Sequence, residues 1–142
     1  MSEDTWWTSP LENDNGQLIM VTGRGNVSKF RDNPRFSIRV TITQPYEARP
    51  DGMPTADSEE ILEKVLDNLQ EVFDKDPIAV LTGIYTGGGE RTLVLYTLSV
   101  HIFNKKLNLA LESLPLLPLK IEAENDPEWL EYQEMESLSR ID

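Results

Sequence analysis

Three consecutive glycines, Gly87 to Gly89, lie between two apolar segments in the stretch LTGIYTGGGERTLVLYT, residues 81–97. Such a loop can hold a phosphate when a Lys and a Ser or Thr follow it and a helix begins there. Here Glu90 follows and would repel phosphate, and Thr92 stands where a dinucleotide loop needs its third glycine. Because both flanking segments have the composition of strands, we predict that the glycines supply the positive φ angles of a tight hairpin turn.

Other residue types that catalyse reactions or bind metals are scarce, or they are predicted on helix surfaces. The chain has no cysteine and one histidine, His101, which cannot provide a zinc-binding pair by itself. Carboxylates cluster on two predicted helices, where such residues normally serve solubility; they are Glu59, Glu60, Glu63 and Asp67, and Glu128, Glu131, Glu134 and Glu136. We therefore predict no catalytic residue, no metal ligand and no cofactor, and we expect a protein that is not an enzyme.

The charge of the chain is strongly negative and unevenly distributed. The sequence has 13 basic and 25 acidic residues, a net charge of −12, and such a field repels nucleic acids and anionic membranes. Residues 24–49 nevertheless hold six basic and two acidic residues, whereas residues 121–142 hold one basic and eight acidic ones. These regions either solvate the surface or face each other, or the basic one binds ligands. A small-molecule or anion-binding domain with a basic patch around Arg24, Arg35 and Arg39 is thus an alternative function.

Hydrophobic periodicity predicts the elements that position these residues. RFSIRVTIT, residues 35–43, alternates between an apolar face that includes Phe36 and a polar face, as a half-buried strand does. A long amphipathic helix follows, capped by Asp57 or Ser58. IAVLTGIYT and RTLVLYTL have the composition of strands, a second helix begins after Ser99, and LKIEAE forms a last strand. A final helix begins at Asp126, with a proline in its first turn.

From Arg35 onward this order is strand, helix, strand, strand, helix, strand, the ferredoxin-like split βαβ (βαββαβ) pattern. Ahead of it, Asn15-Gly16 separates two strand-like segments and predicts a hairpin. We therefore predict a single α+β domain over residues 1–142, ferredoxin-like, with an added N-terminal β-hairpin and a C-terminal helix. Since the first core strand of that fold has neighbours on both sides, the hairpin must extend an edge of the sheet, or the strand order departs from the ideal.

RNA binding by such a sheet is not expected. The RNA-recognition version of the fold places a signature of glycines and aromatic residues on its third core strand. Here that strand is RTLVLYTL, which has one aromatic residue, Tyr96, and no glycine.

Two adjacent tryptophans, Trp6 and Trp7, lie in the predicted hairpin. Neighbouring residues of a strand point to opposite faces, so the two rings cannot pack on the same face. An exposed tryptophan on an edge hairpin is a suitable anchor for a protein partner, and a lid over the sheet is the structural alternative. Together with Arg35 and Arg39 on the polar strand face, Trp6 and Trp7 are the predicted contact residues for a partner or ligand.

The N-terminal sequence MSEDTWWTSP lacks the basic and apolar regions of a secretory signal. The longest mainly apolar run, Leu93 to Phe103, is too short to span a bilayer. We expect a cytoplasmic protein with no membrane partner, and the sequence leaves a homo-oligomer open.

Several segments together resemble the bacterial domain-of-unknown-function family DUF695. They are the early Trp-bearing strand, the alternating strand ending in Gln44-Pro45, the long amphipathic helix, the hairpin TGIYTGGGERTLVLYT and the closing DPEWLEYQE. The resemblance covers about residues 5 to 138, and the hairpin and the DPEW..Y ending are its most specific parts. The family implies no established activity and no catalytic residues. Some of its relatives look similar to the ribonuclease E inhibitor and regulator B family, which is also ferredoxin-like and acidic.

The leading expectation is therefore an uncharacterised, non-enzymatic, cytoplasmic α+β domain that acts by protein–protein interaction, with a regulatory role as one form of it. Three surfaces are candidates for the contact: the tryptophan hairpin, the strand face with Arg35 and Arg39, and the acidic last helix.

Overall fold

The computed structural model describes residues 5–138, and the two ends of the predicted domain, 1–4 and 139–142, lie outside the described residues. The described chain is α+β, with a six-stranded antiparallel sheet in the order β1-β2-β4-β5-β3-β6 and four helices. The strands are β1 (Thr5–Glu12), β2 (Leu18–Gly25), β3 (Ile38–Pro45), β4 (Ala79–Gly87), β5 (Glu90–Thr97) and β6 (Lys120–Asn125). The helices are α1 (Ser28–Arg31), α2 (Ala56–Lys75), α3 (Val100–Leu111) and α4 (Leu130–Ser137).

The N-terminal hairpin extends one edge of the sheet, as one of the two predicted arrangements requires. β2 pairs with β4, and β1 lies outside it, so that β1 and β6 form the two edges. The chain between β1 and β2 is a five-residue loop rather than a two-residue turn, because the last paired residues are Glu12 and Leu18. The side chain of Asn13 organises this loop by accepting hydrogen bonds from the N–H groups of Asn15 and Gln17, both at 2.9 Å.

One face of the sheet packs against α2 and α3. The predicted amphipathic helix is α2, and its buried residues, which face the sheet, are Leu62, Val65, Leu69 and Phe73. Phe73 stacks on Phe103 of α3 with 5.3 Å between ring centroids. Ser99 caps α3 as predicted, but Thr55 caps α2, so the predicted cap at Asp57 or Ser58 is wrong by two or three residues. Thr55 takes that role because its backbone is still extended and its hydroxyl accepts the N–H of Ser58.

The opposite face of the sheet is covered by α4. Buried side chains of the sheet and of the last helix form a second core there, and its members are Val21, Val27, Phe36, Val80, Val94, Tyr96, Trp129, Tyr132 and Met135. The two faces of the sheet are therefore buried in two separate clusters. No helix within residues 5–138 is long and apolar enough to cross a membrane.

The glycine segment forms the predicted hairpin turn. Gly87 pairs with Glu90, so that Gly88 and Gly89 are the two turn residues, with φ angles of 63° and 89°. Such angles are favourable only for glycine and a few polar residues. The N–H of Gly89 donates to the carbonyl of Gly52 at 3.0 Å. The turn thus packs on the 46–55 loop and joins two adjacent strands.

Two predicted boundaries are wrong. β3 begins at Ile38 rather than Arg35, because the chain turns at residues 32–35, and Phe36 packs in the cluster under α4 instead of sharing a face with Val40. α4 begins at Leu130 rather than Asp126, because the residue before it, Trp129, has a left-handed backbone with a φ of 55°.

Candidate functional site

The two adjacent tryptophans lie on opposite faces of β1, and both are half-buried. Trp6 packs at the edge of the α2 and α3 core, and the guanidinium of Arg24 lies 5.4 Å from its ring centroid. Trp7 packs at the edge of the α4 core, and its indole covers Gly23, where a side-chain carbon would collide with the ring. Each ring therefore fastens the hairpin to the body of the protein and exposes only part of its surface.

The three arginines of the predicted basic patch do not converge. Arg24 lies on the α2 side of the sheet and lines a cavity of about 450 Å³ together with Lys29 and Asp74. Arg39 lies on the α4 side, where its guanidinium pairs with two carboxylates. Arg35 is exposed in the turn before β3. The structure therefore brings neither Arg35 nor Arg39 into the cavity that Arg24 lines.

Asp126 is the centre of a polar network between the sheet and α4. Its side chain is 4% exposed and accepts hydrogen bonds from the Tyr96 hydroxyl at 2.7 Å and from the N–H groups of Leu130 and Glu131 at 2.9 and 3.3 Å. It also pairs with Arg39 at 3.1 Å. Burial works to raise the pKa of Asp126, but these hydrogen bonds and the charge of Arg39 outweigh burial and lower that pKa below its usual value.

Asp126 therefore acts at the start of the last helix, as predicted, although three residues separate it from Leu130. The intervening turn is closed by the N–H of Trp129, which donates to the carbonyl of Asp126 at 3.0 Å. The side-chain carboxylate of Asp126 accepts the first two N–H groups of α4, and it thereby satisfies donors that no intrahelical carbonyl reaches.

Trp129 is fully buried and packs beside this network. Its ring stacks on Tyr96 with 4.1 Å between centroids and meets the ring of Tyr132 edge-on. Its indole N–H donates to the carbonyl of Phe36 at 2.7 Å. The DPEW..Y segment thus joins the sheet, the turn before β3 and the last helix through one aromatic cluster.

Glu131 is a second, largely buried carboxylate under α4. Its Oε1 accepts a hydrogen bond from the Tyr85 hydroxyl at 2.7 Å, whereas its Oε2 has no hydrogen-bond partner among the described residues. Burial raises the pKa of Glu131 above its usual value; the Tyr85 hydrogen bond and Arg39 oppose this, and the charges of Asp126 and Glu134 add to it. Ionised Glu131 is therefore a destabilising group at neutral pH.

Replacing Glu131 with Gln should stabilise the fold by about 1 kcal/mol at pH 7, the usual scale of a single stabilising substitution. A carboxylate whose folded-state pKa is raised favours the fold below its unfolded pKa, near 4.5, and this contribution is lost as the pH rises through the folded value. The gain from the substitution should hence shrink as the pH falls through the raised folded-state pKa and be lost below 4.5. Urea unfolding at a series of pH values measures it.

Glu128→Gln is the matched control for this prediction, because Glu128 is an exposed carboxylate just before the same helix. It should change the free energy of unfolding by no more than about 0.5 kcal/mol. A Glu131→Gln variant that is less stable than the parent at pH 7 would contradict the destabilising role of the buried charge.

The network under α4 joins the last helix to the sheet. Asp126 bonds to a hydroxyl, two amides and a guanidinium, Glu131 bonds to the Tyr85 hydroxyl through Oε1, and Trp129 packs beside Tyr96. Among residues 5–138 no group of three or more His, Asp or Glu side chains is placed to hold a metal ion. The arrangement holds α4 on the sheet.

The free edge of β6 and the chain before it form a second kind of surface. All six residues of β6 are exposed, and β3 is its only strand neighbour among the described residues. The leucine-rich stretch Leu114–Leu119 leads into β6 and lines, with the end of α3 and Ile121, a cavity of about 530 Å³. Leu116 is fully exposed. We call Leu114, Leu116, Leu117, Leu119 and Ile121 the leucine surface.

The leucine surface was not predicted from the sequence. A signal was available, since SLPLLPLKI combines closely spaced leucines with two prolines that prevent a continuous helix or strand. Such a segment cannot bury all of its side chains through a regular element. The sequence does not indicate which of these leucines remain exposed to solvent, because that depends on the packing of the whole fold.

Comparison with known proteins adds a family and no activity. The model of a family described as "Family of unknown function (DUF695)" matches residues 5–135, which is nearly the whole chain. No curated protein and no solved structure matches the chain.

Proposed function

We propose that this chain, which belongs to the DUF695 family of unknown function, is a cytoplasmic, non-enzymatic module that binds an extended segment of a partner protein along the free edge of β6. The observation that carries the proposal is an exposed edge strand directly beside the leucine surface, in which Leu116 is fully exposed and Leu114, Leu117 and Leu119 are half-buried. Exposed sheet edges accept a further strand, in which main-chain hydrogen bonds supply affinity and side-chain pockets supply specificity.

The backbone of β6 is oriented for this kind of binding. The N–H of Asp126 donates to the carbonyl of Ser37, at the β3 side. Because backbone groups alternate in direction along a strand, those of Glu122 and Glu124 also face β3, and those of Ile121 and Ala123 face the open edge. An added strand would pair with Ile121 and Ala123.

The side chains of β6 define which segment fits. Ile121 and Ala123 lie opposite Ile42 and Val40, on the α3 side, where the leucine surface continues. Glu122 and Glu124 point to the other side. The complementary segment therefore alternates apolar residues, which fill the leucine surface, with basic residues, which face the two glutamates.

A second copy of the chain is a poorer occupant of this edge. Two antiparallel β6 strands would bring Glu122 and Glu124 of one copy next to the same residues of the other, and like charges on neighbouring strands destabilise pairing. The net charge of −12 adds a general repulsion between copies.

The proposal is tested with a short fluorescein-labelled peptide of alternating lysine and valine, whose binding is followed by fluorescence anisotropy. Ala123→Pro removes one outward N–H and should weaken binding at least about tenfold, or ~1.4 kcal/mol. Proline at that position is tolerated by the fold, because no ladder bond to β3 depends on its N–H. Leu116→Lys should weaken binding by removing the apolar contact.

Ala123→Val is the matched control, since it keeps the N–H and should bind as the parent does. A peptide of alternating glutamate and valine should bind far more weakly than the lysine peptide. Failure of the lysine peptide to bind, or equal binding by Ala123→Pro, would count against strand addition at β6. A dimer that Ala123→Pro dissolves would identify the occupant as a second copy and would contradict the proposed partner.

Anion binding is the second candidate function, with one observation in its favour. Arg24 lines a cavity of about 450 Å³ with Lys29, so two cations face one space. Arg35 and Arg39, the other members of the predicted patch, lie elsewhere. Asp74, which lines the same cavity, reduces its positive charge.

We also assign the core from β3 to β6 to the ferredoxin-like split βαβ fold. The support is that these four strands lie in the order β4-β5-β3-β6 with antiparallel neighbours, and that α2 and α3 share one core cluster. In this assignment the hairpin adds two strands beside β4, and α4 covers the face that the simple fold leaves open.

A further inference from the structure

A cavity on the α2 side of the sheet contains a largely buried arginine. It has a volume of about 350 Å³ and lies between β2, β4, the first half of α2 and the 46–55 loop. Arg91 of β5 reaches into it with a side chain that is only 11% exposed. The cavity lies beside β2 and β4, whereas β6 forms the far edge of the sheet, so it is separate from the proposed partner surface.

The guanidinium of Arg91 is held by a hydrogen bond on one side and has a donor without a hydrogen-bond partner among the described residues on the other. Its Nε donates to the hydroxyl of Thr86 at 2.9 Å. Its Nη1 is buried and has no hydrogen-bond partner among the described residues; the nearest carboxylate oxygen, on Glu63, is 3.8 Å away. A buried guanidinium donor without an acceptor is costly, so a carboxylate ligand would meet a prepared partner.

The cavity is also lined by carboxylates, and their negative charge limits which ligands can bind. Glu59 and Glu63 of α2 line it together with Arg91 and Arg49, and Arg49 is already paired with Asp51 at 3.2 Å. A simple anion such as phosphate would be repelled by the two glutamates. A molecule with a carboxylate and an ammonium group would satisfy Arg91 and the glutamates together.

The remaining walls are apolar. Met20, Met53, Leu66 and Ile84 surround the polar groups, and methionine side chains adapt to ligands of different shape. The volume lies at the lower end of small-molecule pockets. We propose that this cavity binds a free α-amino acid with an apolar side chain, whose carboxylate bonds to Arg91, whose ammonium lies between Glu59 and Glu63, and whose side chain contacts the two methionines.

Isothermal titration calorimetry of the full chain with L-leucine and L-methionine tests the proposal. Two single-charge analogues of leucine separate the parts of the site: 4-methylpentanoate keeps the carboxylate, and isopentylamine keeps the ammonium. Each should bind at least about tenfold more weakly than leucine, because each leaves one charged group of the cavity unpaired. Inorganic phosphate should bind more weakly still.

Two substitutions distinguish the two ends of the ligand. Glu63→Gln should weaken leucine binding about tenfold and leave 4-methylpentanoate binding unchanged or stronger. Arg91→Lys should weaken both, since lysine cannot form the paired contact with a carboxylate. Glu63 is half-exposed, so its substitution tests the site even if Arg91→Lys fails to fold.

Glu60→Gln is the matched control on α2, because Glu60 is exposed and does not line the cavity. Ala123→Pro, at the far edge of the sheet, should also leave leucine binding unchanged, which keeps this test separate from that of the partner surface. Absence of binding by both amino acids at millimolar concentration would overturn the proposal. Phosphate binding that equals leucine binding and survives Glu63→Gln would replace it with a simple anion site.

Discussion

Replacing Trp129 with alanine should lower the free energy of unfolding by about 3–5 kcal/mol. The side chain is fully buried, and its loss would leave a cavity between Tyr96 and Tyr132. The carbonyl of Phe36 would also lose the donor that now lies 2.7 Å away. Because domains of this size are stable by only about 5–15 kcal/mol, the loss is a large part of the total.

Urea unfolding followed by circular dichroism measures this effect, since tryptophan fluorescence would itself be changed by the substitution. The matched control is Leu130→Ala, next in the chain, whose side chain is largely exposed and whose loss should change stability by no more than about 0.5 kcal/mol. Should the alanine variant not fold, Trp129→Phe keeps an aromatic ring and removes the N–H. A loss from Trp129→Ala no larger than that from Leu130→Ala would show that α4 is not fastened through this ring.

Replacing Asp126 with alanine should cost about 3–5 kcal/mol near neutral pH. The substitution removes one of the two carboxylates that pair with Arg39, and it strands the Tyr96 hydroxyl and two amides at the start of α4, which now bond to the same buried carboxylate. Removing one partner of such a network is costly because the remaining groups stay buried without acceptors.

The cost should depend on pH in a defined direction. Since the folded-state pKa of Asp126 lies below the usual 3.8, its stabilisation is present above that value and is lost as the pH falls through the folded pKa. The difference between the parent and the alanine variant should therefore narrow in acid. Urea unfolding at pH 7 and at progressively lower pH measures it.

Glu124→Gln serves as the control for Asp126, because Glu124 pairs with the same arginine at 2.8 Å but is largely exposed. It should cost no more than about 1 kcal/mol, as exposed ion pairs do. Equal losses from the two substitutions would mean that the ion pair with Arg39, and not the buried hydrogen bonds, holds the helix.

Much of the fold could be predicted because its signals are local. The apolar stripe of α2, the cap at Ser99 and the glycine turn each depend on residues within a few positions of one another. The opposite orientations of Trp6 and Trp7 follow from the alternation of a single strand. Boundaries were less accurate, because the start of β3 and of α4 depends on turns whose residues bond to distant parts of the chain.

The candidate sites were harder to predict, for a different reason. The grouping of Arg24, Arg35 and Arg39 rested on closeness in sequence, whereas the sheet sends Arg24 and Arg39 to opposite faces. Arg91 was not predicted as a site residue, because a single arginine in a strand has no pattern. Arg91 is buried against Thr86 because α2, which is distant in sequence, packs above it.

The amino-acid sequence by itself determined that this protein is an acidic α+β chain with a hairpin at Gly88-Gly89, because glycine geometry and apolar periodicity act over a few residues. Only the tertiary structure decided that Asp126 and Trp129 fasten a helix over the second face of the sheet, that Arg91 keeps a buried donor without a hydrogen-bond partner among the described residues, and that β6 and Leu116 stay exposed. Those features depend on which surfaces long-range packing buries, and burial is a property of the whole fold rather than of any segment.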